Sequence, residues 1–406
     1  MKTESRYKNK LTAESCFHLH KILDSVYLAV FSVSIFLLYF SQCILYKYRK
    51  VKGINNYNRR ILGYFCLGLS ITIPCLLAAL RSMNVGDDVD AYIEPNFIFS
   101  SGLTDNGFIY FFENMPKETE FGFSFLLYIG NLFKSVGVSL FLIQLLIILP
   151  VYIVLNKYRY CLSVTLGMAT FYFLCYNFSF SGMRGSIAMS LLLLDFYYLQ
   201  HHDYKRAIPL FLFAALFHNS AILMMVFYCF ILMILDSKYS RLWGGIFAIC
   251  VFILFLIADK LLFILVGIAG LVSGRYAYYL TEYIGSGTVE NVPLTDFLCK
   301  LVLLVLITLW LVKTKKFSKR YQHFFWFVLM GRIFVLFNSV FYEAMRIAFY
   351  FDLFLILYVA SIFCCFKQNT SNRYIATALI MLPSFLYWIY FIMYIGAYQT
   401  NIYTFR

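Results

Sequence analysis

The sequence predicts an all-α, polytopic integral membrane protein, and three observations carry this prediction: the composition, the long apolar runs and the placement of basic residues. Of the 406 residues, 62% are hydrophobic and 13% are charged. Soluble domains average about 45–50% apolar and about 25% charged residues. A water-soluble enzyme of this length is therefore close to excluded, and we expect residues 1–406 to form a single transmembrane domain.

The apolar runs indicate about twelve membrane crossings, since a helix needs about 20 predominantly apolar residues to cross the hydrocarbon. Runs near this length cover residues 25–46, 61–80, 138–156, 160–180, 185–200, 242–258, 293–312, 321–340, 347–366 and 374–395. A further apolar stretch, residues 207–235, is interrupted at Phe217-His218-Asn219-Ser220. We count a short helical hairpin near His218 among the crossings.

Lys and Arg orient these spans, because loops rich in basic residues stay on the cytoplasmic side. Residues 47–60 carry six basic residues and no acid, and residues 313–320 carry five and no acid. Residues 81–120 carry two basic and eight acidic residues instead. We therefore predict that loops 81–120 and 273–292 and both termini face outward. The net charge of +14 reflects this cytoplasmic bias and does not indicate a nucleic acid partner.

Two arrangements satisfy the odd number of crossings that this orientation requires between residues 207 and 272. In the first, residues 207–217 and 220–235 form the hairpin near His218, and residues 242–258 return outward. In the second, residues 207–235 cross once, and a hairpin turns around Asp259-Lys260. We favour the first arrangement because it places Lys238 and Arg241 on the cytoplasmic side.

Four arginines border spans on the predicted outer side, where Lys and Arg are normally scarce. Arg81 ends the second span, Arg184 and Arg346 each begin a span that runs inward, and Arg275 lies in the last large outward loop. An Arg in the first helical turn opposes the positive end of the helix dipole. A bound anion such as a phosphate would explain the arrangement. The alternative for each Arg is contact with lipid headgroups or with an acid such as Glu343.

Three more charged residues lie deeper in the predicted spans. Arg332 and Asp352 are each ten residues from a turn near Tyr342, so at about 1.5 Å per residue they share one depth. We interpret them as a structural ion pair. We interpret Asp195, near the inner end of its span, as a buried acid whose hydrogen bonds are satisfied.

Two residues are candidates for acid–base catalysis. His218 lies at the break in an apolar run, and an imidazole can accept a proton from a sugar hydroxyl near neutral pH. The alternative is a histidine that only hydrogen-bonds between packed helices. Asp88 belongs to Asp87-Asp88-Val89-Asp90, which resembles the Asp-x-Asp metal motif of many sugar transferases, although an acidic loop is more often simply solvated. We predict no bound metal and no cofactor.

Several stretches resemble the EpsG-like, Wzy-type family of bacterial polysaccharide polymerases. The family has an Arg followed by Gly-x-Asp and a Tyr, an Arg-bearing helix start, and a Leu-Phe-His-x-Ser-Ala segment. The matching stretches here are Leu80-Arg81, Gly86-Asp87-Asp88-Val89-Asp90-Ala91-Tyr92, Met183-Arg184-Gly185-Ser186, Leu216-Phe217-His218-Asn219-Ser220-Ala221, Ser273-Gly274-Arg275-Tyr276, and Arg346 before an aromatic run. The family often has Arg-Gln at the helix start, where this chain has Arg184-Gly185.

The resemblance implies an enzyme of the bacterial cytoplasmic membrane that acts on its outer face. Such an enzyme transfers a growing glycan from an undecaprenyl diphosphate carrier to a lipid-linked repeat unit, which makes these lipids its donor and acceptor. It implies that Arg81, Arg184, Arg275 and Arg346 bind the diphosphate and that His218 or Asp88 accepts the hydroxyl proton. Membrane lipids and a chain-length regulator are the other expected partners.

Two other functions stay open. One is a membrane glycan ligase or acyltransferase that uses His218 or Asp88 on another lipid-linked donor. The other is a flippase or exporter of the same anionic lipid-linked sugar, with the arginines as a transit path. No Walker A, His-Glu-x-x-His, Gly-x-Ser-x-Gly or Rossmann glycine pattern occurs, so ATP-driven transport and soluble-type hydrolysis have no support.

Overall fold

The computed structural model describes residues 26–47, 56–117, 119–238, 294–339, 343–366 and 371–406, together with a few positions between 242 and 253. Regular secondary structure in these residues is helical, apart from one isolated bridge between Arg81 and Phe405. The predicted all-α class is therefore confirmed. The loop 273–292 and most of the predicted span 242–258 lie outside the described residues.

The chain divides into two compact units. The first comprises Met1–Tyr152, Met168–Ile187 and Ser384–Arg406, and the second comprises Ile153–Gly167 and Ala188–Pro383. The α-helices in chain order are α1 (Val26–Gln42), α2 (Asn56–Leu80), α3 (Glu94–Ser100), α4 (Phe108–Asn114), α5 (Phe121–Leu132), α6 (Val136–Lys157), α7 (Val164–Leu174), α8 (Met183–Gln200), α9 (Tyr204–Ala215), α10 (Ser220–Asp236), α11 (Leu294–Lys313), α12 (Lys319–Leu336), α13 (Glu343–Asp352), α14 (Phe354–Ser361) and α15 (Ser371–Tyr387).

Six described helical segments are long and apolar enough to cross a membrane. They are Val26–Tyr46, Tyr57–Leu80, Val136–Lys157, Leu294–Lys313, Ala344–Ser361 and Ile375–Tyr394. Three shorter apolar helices, α5, α7 and α10, accompany them. The composition of these helices makes the chain a multi-pass membrane protein, whereas the total of about twelve crossings stays a prediction.

Two predicted spans differ from the observed helices. The span expected over residues 160–180 contains α7, which has only 11 residues and is therefore roughly 16 Å long. The chain then passes through a 3₁₀ turn at Phe178–Phe180 before α8 begins. The span expected over residues 347–366 is divided at Leu353 between α13 and α14. The predicted interruption near His218 is confirmed, because α9 ends at Ala215 and α10 begins at Ser220.

A proline inside α2 explains one of the contacts that hold the first unit together. Pro74 has no backbone N–H, so the carbonyl of Ser70 lacks its usual partner within the helix. Ser34 of α1 donates a hydrogen bond from its hydroxyl to this carbonyl at 2.5 Å. Tyr176 donates its own hydroxyl to the Pro74 carbonyl at 2.6 Å. The Ser34 hydroxyl thus satisfies the carbonyl that Pro74 leaves without its helical partner, as apolar surroundings require, and the Tyr176 bond adds a second contact beside it.

Candidate functional site

Arg81 lies immediately after α2 and is almost fully buried, with 2% of its surface exposed. Its guanidinium carbon lies 3.8 Å from the centre of the Phe180 ring, and its Nη2 lies 3.6 Å from the sulfur of Met183. Within the described part of the chain, its Nε and Nη1 have no hydrogen-bond acceptor. Burial lowers the pKa of Arg81 to about 10, which keeps the side chain charged at neutral pH. A buried donor without an acceptor costs about 1–3 kcal/mol. An anionic oxygen bonded to Nε and Nη1 would remove this cost.

A glycine turn holds the chain close to Phe180. Gly86 has a φ of +96°, and a Cβ at this position would lie 2.6 Å from the Phe180 carbonyl oxygen, so only glycine fits. The Gly86 N–H donates to the Gln399 carbonyl at 3.2 Å. The Asp87 N–H donates to the Ser181 hydroxyl at 3.0 Å. The loop after α2 is thereby fixed against the segment that precedes α8.

The side chain of Asp88, from the loop after α2, contacts the first residue of α8. Its Oδ2 accepts a hydrogen bond from the Met183 N–H at 3.3 Å. A carboxylate at a helix N-terminus is stabilised by the helix dipole. Its negative charge also favours the charged form of Arg81, which places the two residues in one electrostatic environment. Asp88 therefore binds the start of α8, where the sequence analysis expected an anion such as a phosphate. Its role as a base stays a prediction.

Arg184 is paired with an acid, which is the alternative reading that the sequence left open. Its Nη1 lies 2.5 Å from Glu120 Oε2, and its guanidinium carbon lies 4.1 Å from the centre of the Tyr92 ring. The sequence suggested Glu343 as such a partner, whereas Glu120 comes from the loop 81–120. Both side chains are largely buried, at 26% and 12% exposure. Arg184 lies in the first turn of α8, and Asp88 accepts a hydrogen bond from Met183 in the same turn. Arg81 contacts the sulfur of Met183, so the three residues form one site.

A segment that sequence analysis did not single out covers Arg81. The Ser82 N–H donates to the Thr404 carbonyl at 2.8 Å, and the Arg406 N–H donates to the Leu80 carbonyl at 2.9 Å. Tyr403 donates its hydroxyl to the Leu77 carbonyl at 2.6 Å. Residues 396–406, which we call the C-terminal strap, thus run along the end of α2. Its only sequence signal is the glycine at 396, whose φ of +77° turns the chain after α15.

His218 and Arg346 lie in the second unit. His218 is half-buried in the break between α9 and α10, and Arg346 is exposed in the first turn of α13. The hydroxyl groups of Ser220 and Tyr350 lie 2.8 Å apart and join this break to α13. Arg346 precedes Tyr350 by one helical turn, so the two residues share a helix face. Arg275 lies outside the described residues.

The predicted ion pair between Arg332 and Asp352 is confirmed, and it belongs to a larger buried cluster that the sequence reading missed. Arg332 bonds to Asp352 through Nη2 and to Asp296 through Nη1, the latter at 3.1 Å. Lys300 completes the ring at 2.6 Å from Asp296 and 2.8 Å from Asp352. We call these four residues the charge quartet. Two bases balance two acids, so the quartet is neutral, and the i, i+4 spacing of Asp296 and Lys300 inside an apolar run was its sequence signal.

The prediction that Asp195 is a satisfied buried acid was wrong. The side chain is fully buried in α8, and neither carboxylate oxygen has a hydrogen-bond partner in the described part of the chain. The sequence reading assumed that a buried acid finds a donor, as most buried polar groups do. The residues next to Asp195 in α8 are mainly leucines and aromatic residues, and none of them bonds to its carboxylate.

The acids of the loop after α2 serve different purposes. Asp87 is half-buried, and this burial raises the pKa of its carboxyl, whereas Asp90 is exposed. Asp88 contacts α8, as described above. Among the described residues, no three or more His, Cys, Asp or Glu side chains converge in a way that could hold a metal ion.

The described helices include six of membrane length, and charged side chains lie near the ends of several of them. These features define a polytopic membrane protein with a charged site at the end of a membrane-length helix. The chain belongs to the EpsG family, whose model matches residues 64–405. This match extends from α2 into the C-terminal strap and includes all six predicted site residues, so the resemblance noted in the sequence is confirmed. The chain is therefore a membrane protein of a family linked to exopolysaccharide biosynthesis. No curated protein and no solved structure matches it.

Proposed function

We propose that the protein is a polysaccharide polymerase of the bacterial cytoplasmic membrane, of the O-antigen or exopolysaccharide type. It transfers a growing glycan from an undecaprenyl diphosphate carrier to a lipid-linked repeat unit on the outer face. The topology predicted from the sequence, with the loop after α2 facing outward, belongs to this proposal. A chain-length regulator is a candidate partner.

The observation that carries the proposal is the buried guanidinium of Arg81. Two of its nitrogen atoms have no acceptor in the described residues. The side chain is charged, and only 2% of its surface is exposed to solvent. A diphosphate supplies several anionic oxygens, and the planar guanidinium suits them geometrically. Membership of the EpsG family supports a lipid-linked glycan as the molecule that carries this diphosphate.

The proposed reaction needs only groups that the chain and its two substrates supply. The bond between the anomeric carbon and the diphosphate oxygen breaks while the acceptor hydroxyl oxygen bonds to that carbon. The hydroxyl proton passes to a base, and the lipid diphosphate leaves with the bonding electron pair. Arg81 stabilises the negative charge that develops on this leaving group, and loss of one such donor typically lowers kcat by about 10²–10³.

The other predicted residues have roles within the same proposal. Arg184, Arg275 and Arg346 contribute further positive charge to the diphosphate, and the bond from Arg184 to Glu120 orients its guanidinium. His218 is the preferred base, because Asp88 already accepts the Met183 N–H at the start of α8. An imidazole also takes up and releases a proton near neutral pH more readily than a carboxylate does.

The test is a gel of surface glycan from a strain that lacks the gene, complemented with the wild type or with variants present at equal amounts in the membrane. The wild type should give a ladder, and Arg81→Ala should give lipid cores that bear a single repeat unit. Arg81→Lys should also fail, because an ammonium cannot reproduce the planar donors. Arg206→Ala is the matched control, since Arg206 is exposed and its ion pair with Asp203, at 3.5 Å, lies at the surface.

Other patterns on the same gel would contradict the proposal. Complete loss of external repeat units in the deletion strain would indicate a flippase or exporter. Full-length polymer that stays on its lipid carrier would indicate a ligase. A normal ladder from Arg81→Ala would remove Arg81 from the reaction.

A further inference from the structure

The segment between α2 and α6 is an ordered helical structure with an unusual surface. Residues 81–120, which the sequence predicts as an outward loop, contain α3 and α4, and α5 follows before α6 begins. Large apolar side chains of this segment are exposed, several of them by more than half of their surface. They are Ile98 (64%), Phe99 (58%), Ile109 (74%), Tyr110 (44%), Phe121 (43%), Phe125 (45%), Leu132 (55%) and Phe133 (69%). We call these eight residues the apolar stripe.

Helix α5 is apolar on its exposed side as well as on its buried side. Its exposed positions Phe121, Phe125 and Leu132 lie on one side, at helical spacing. The opposite, buried side combines large apolar residues with small and polar ones, namely Phe123, Leu126, Leu127, Gly122, Ser124, Gly130 and Asn131. Helices of soluble proteins expose polar residues, whereas a helix that carries large apolar residues on all sides has an apolar environment on its outer side too.

Hydrogen bonds on the buried side of α5 fix this helix against its neighbours. Asn131 donates to the Ser100 hydroxyl at 2.9 Å, which joins α5 to α3. Ser139 donates to the Leu126 carbonyl at 3.0 Å, which joins α5 to α6. The exposed side of α5 is therefore the side that carries Phe121, Phe125 and Leu132.

The length of these helices excludes a membrane crossing by any one of them. Helix α5 has 12 residues and is therefore roughly 18 Å long, against a hydrocarbon thickness of about 30 Å. Helices α3 and α4 have 7 residues each. Charged residues also remain exposed between the apolar ones, including Asp105, Glu113 and Lys134. Apolar and charged side chains can both be accommodated where acyl chains meet headgroups.

The stripe also ends near a membrane-length helix. Gly137, in the first turn of α6, would place a Cβ 3.0 Å from the Ala79 carbonyl, so α6 and the end of α2 touch at this point. Leu76 and Leu80 of α2 are exposed by 44% and 51%. Phe133 lies only four residues before Gly137. The end of the apolar stripe therefore lies close along the chain to the point where α6 touches the end of a membrane-length helix.

Aromatic packing gives the segment a fixed shape. The Phe108 ring centre lies 5.3 Å from that of Phe121, 5.4 Å from that of Phe125 and 5.3 Å from that of Tyr128. Pairs at such distances add about 0.5–1.5 kcal/mol beyond their buried area. Helix α4 is thereby held on α5, and the two expose Ile109 and the α5 positions together.

We propose that α3, α4 and α5 lie in the membrane interface, with the apolar stripe inserted among the acyl chains of the bilayer. Phospholipid is therefore the partner of this surface, and the aromatic side chains act as interfacial anchors. The inference rests on exposure and packing and is independent of the proposed polymerase reaction. It places Glu120, immediately before α5, on an element anchored to the membrane while it holds Arg184.

The test uses the full-length protein in vesicles of phosphatidylcholine and phosphatidylglycerol that contain a phosphatidylcholine with a diazirine on its acyl chain. After irradiation, mass spectrometry locates lipid adducts. Adducts should form on Phe99, Ile109 and Phe133 at yields comparable to those on Phe65 of α2, and they should be absent from Asp105. Ile109→Lys should lower the adduct yield of α4 several-fold, because an ammonium withdraws from acyl chains. The matched control Asn106→Lys, at an exposed polar position, should leave it unchanged.

Three outcomes would overturn the inference. The first is labelling of Phe65 without labelling of the stripe. The second is rapid oxidation of the stripe by hydroxyl radicals in the same vesicles, which would place it in water. The third is protection from both reagents in native membranes but not in vesicles of pure protein, which would identify another protein as the partner.

Discussion

The charge quartet offers a prediction whose size follows from its geometry. Lys300→Met removes the ammonium that lies 2.6 Å from Asp296 and 2.8 Å from Asp352. The two carboxylates then share the single positive charge of Arg332, and the cluster acquires one uncompensated buried negative charge. Breaking a buried ion pair by removal of one partner costs about 3–5 kcal/mol. At roughly 2 °C per kcal/mol for a large chain, Tm should fall by about 6–10 °C.

A double variant separates this electrostatic reason from loss of packing. Lys300→Met combined with Asp296→Leu removes one base and one acid, which leaves Arg332 bonded to Asp352 in a neutral pair. We expect the double variant to be more stable than Lys300→Met alone, because replacing a buried pair by apolar residues is often close to neutral. Residues in one network are not additive, and their coupling energies reach about 0.5–3 kcal/mol.

The assay is thermal unfolding of the purified protein in detergent, followed by the loss of monodisperse protein after heating. Arg206→Ala is the control, because exposed ion pairs contribute only about 0–1 kcal/mol. A Tm for Lys300→Met that equals that of the control would refute the reasoning. So would a double variant whose loss of stability equals the sum of the two single losses.

Three further predictions concern single positions. Gly86→Ala should abolish polymer formation and lower Tm, because its new Cβ would displace Phe180. Gly102→Ala should be neutral, because no atom lies within 4 Å of a Cβ at that position. Glycan gels and melting curves of the two variants test this difference. Asp87 has its pKa raised by burial, so the stability it contributes is present in acid, below the ordinary aspartate pKa of about 3.9, and is lost as pH rises. Asp87→Asn should therefore melt higher than wild type at neutral pH and converge with it in acid, and a constant difference across the pH series would contradict this. Asp195→Asn should raise Tm, because its carboxylate is buried without a partner in the described residues, and a marked decrease would show that it has one.

The sequence predicted the helical class and the main spans because apolar length is a local property of the chain. The observed segments Val26–Tyr46, Val136–Lys157 and Leu294–Lys313 each agree with a predicted run to within two residues at either end. Helix α7 differed because a run of apolar letters does not show where a helix stops. The helix ends at Leu174, and the polar residues Asn177 and Ser179 follow within the predicted run.

The charged residues show which parts of a site a single sequence can predict. Arg332 and Asp352 were matched because a hairpin places equal distances from its turn at equal depth. The local pair of Asp296 and Lys300 was overlooked despite its i, i+4 spacing, whereas the contact of Lys300 with Asp352, 52 positions away on another helix, has no local signal. The pairing of Arg184 with Glu120, across 64 positions, is equally non-local. Sequence position therefore predicts that a charge needs a partner but not which partner it finds.

The helices between α2 and α6 were not predicted, for a different reason. The eight acids of residues 81–120 indicated a solvated surface segment, and the acids Asp90 and Asp105 are indeed exposed. The aromatic residues of α4 and α5 have helical spacing, but these runs are shorter than a span, so a search for spans does not detect them.

The C-terminal strap has a consequence for the order in which the chain is made. The hydrogen bond from Tyr403 to Leu77 joins residues 326 positions apart, and at synthesis rates of about 5–20 residues per second that interval takes roughly 15–65 s. Throughout this time α2 is already synthesised while the residues that cover Arg81 do not yet exist. Most of the second unit, by contrast, comes from the continuous stretch Ala188–Pro383 and can form before the ribosome reaches the strap. The unit that begins first is thus completed last, and a ribosome that stalls late would leave a nascent chain with a finished second half and an uncovered arginine.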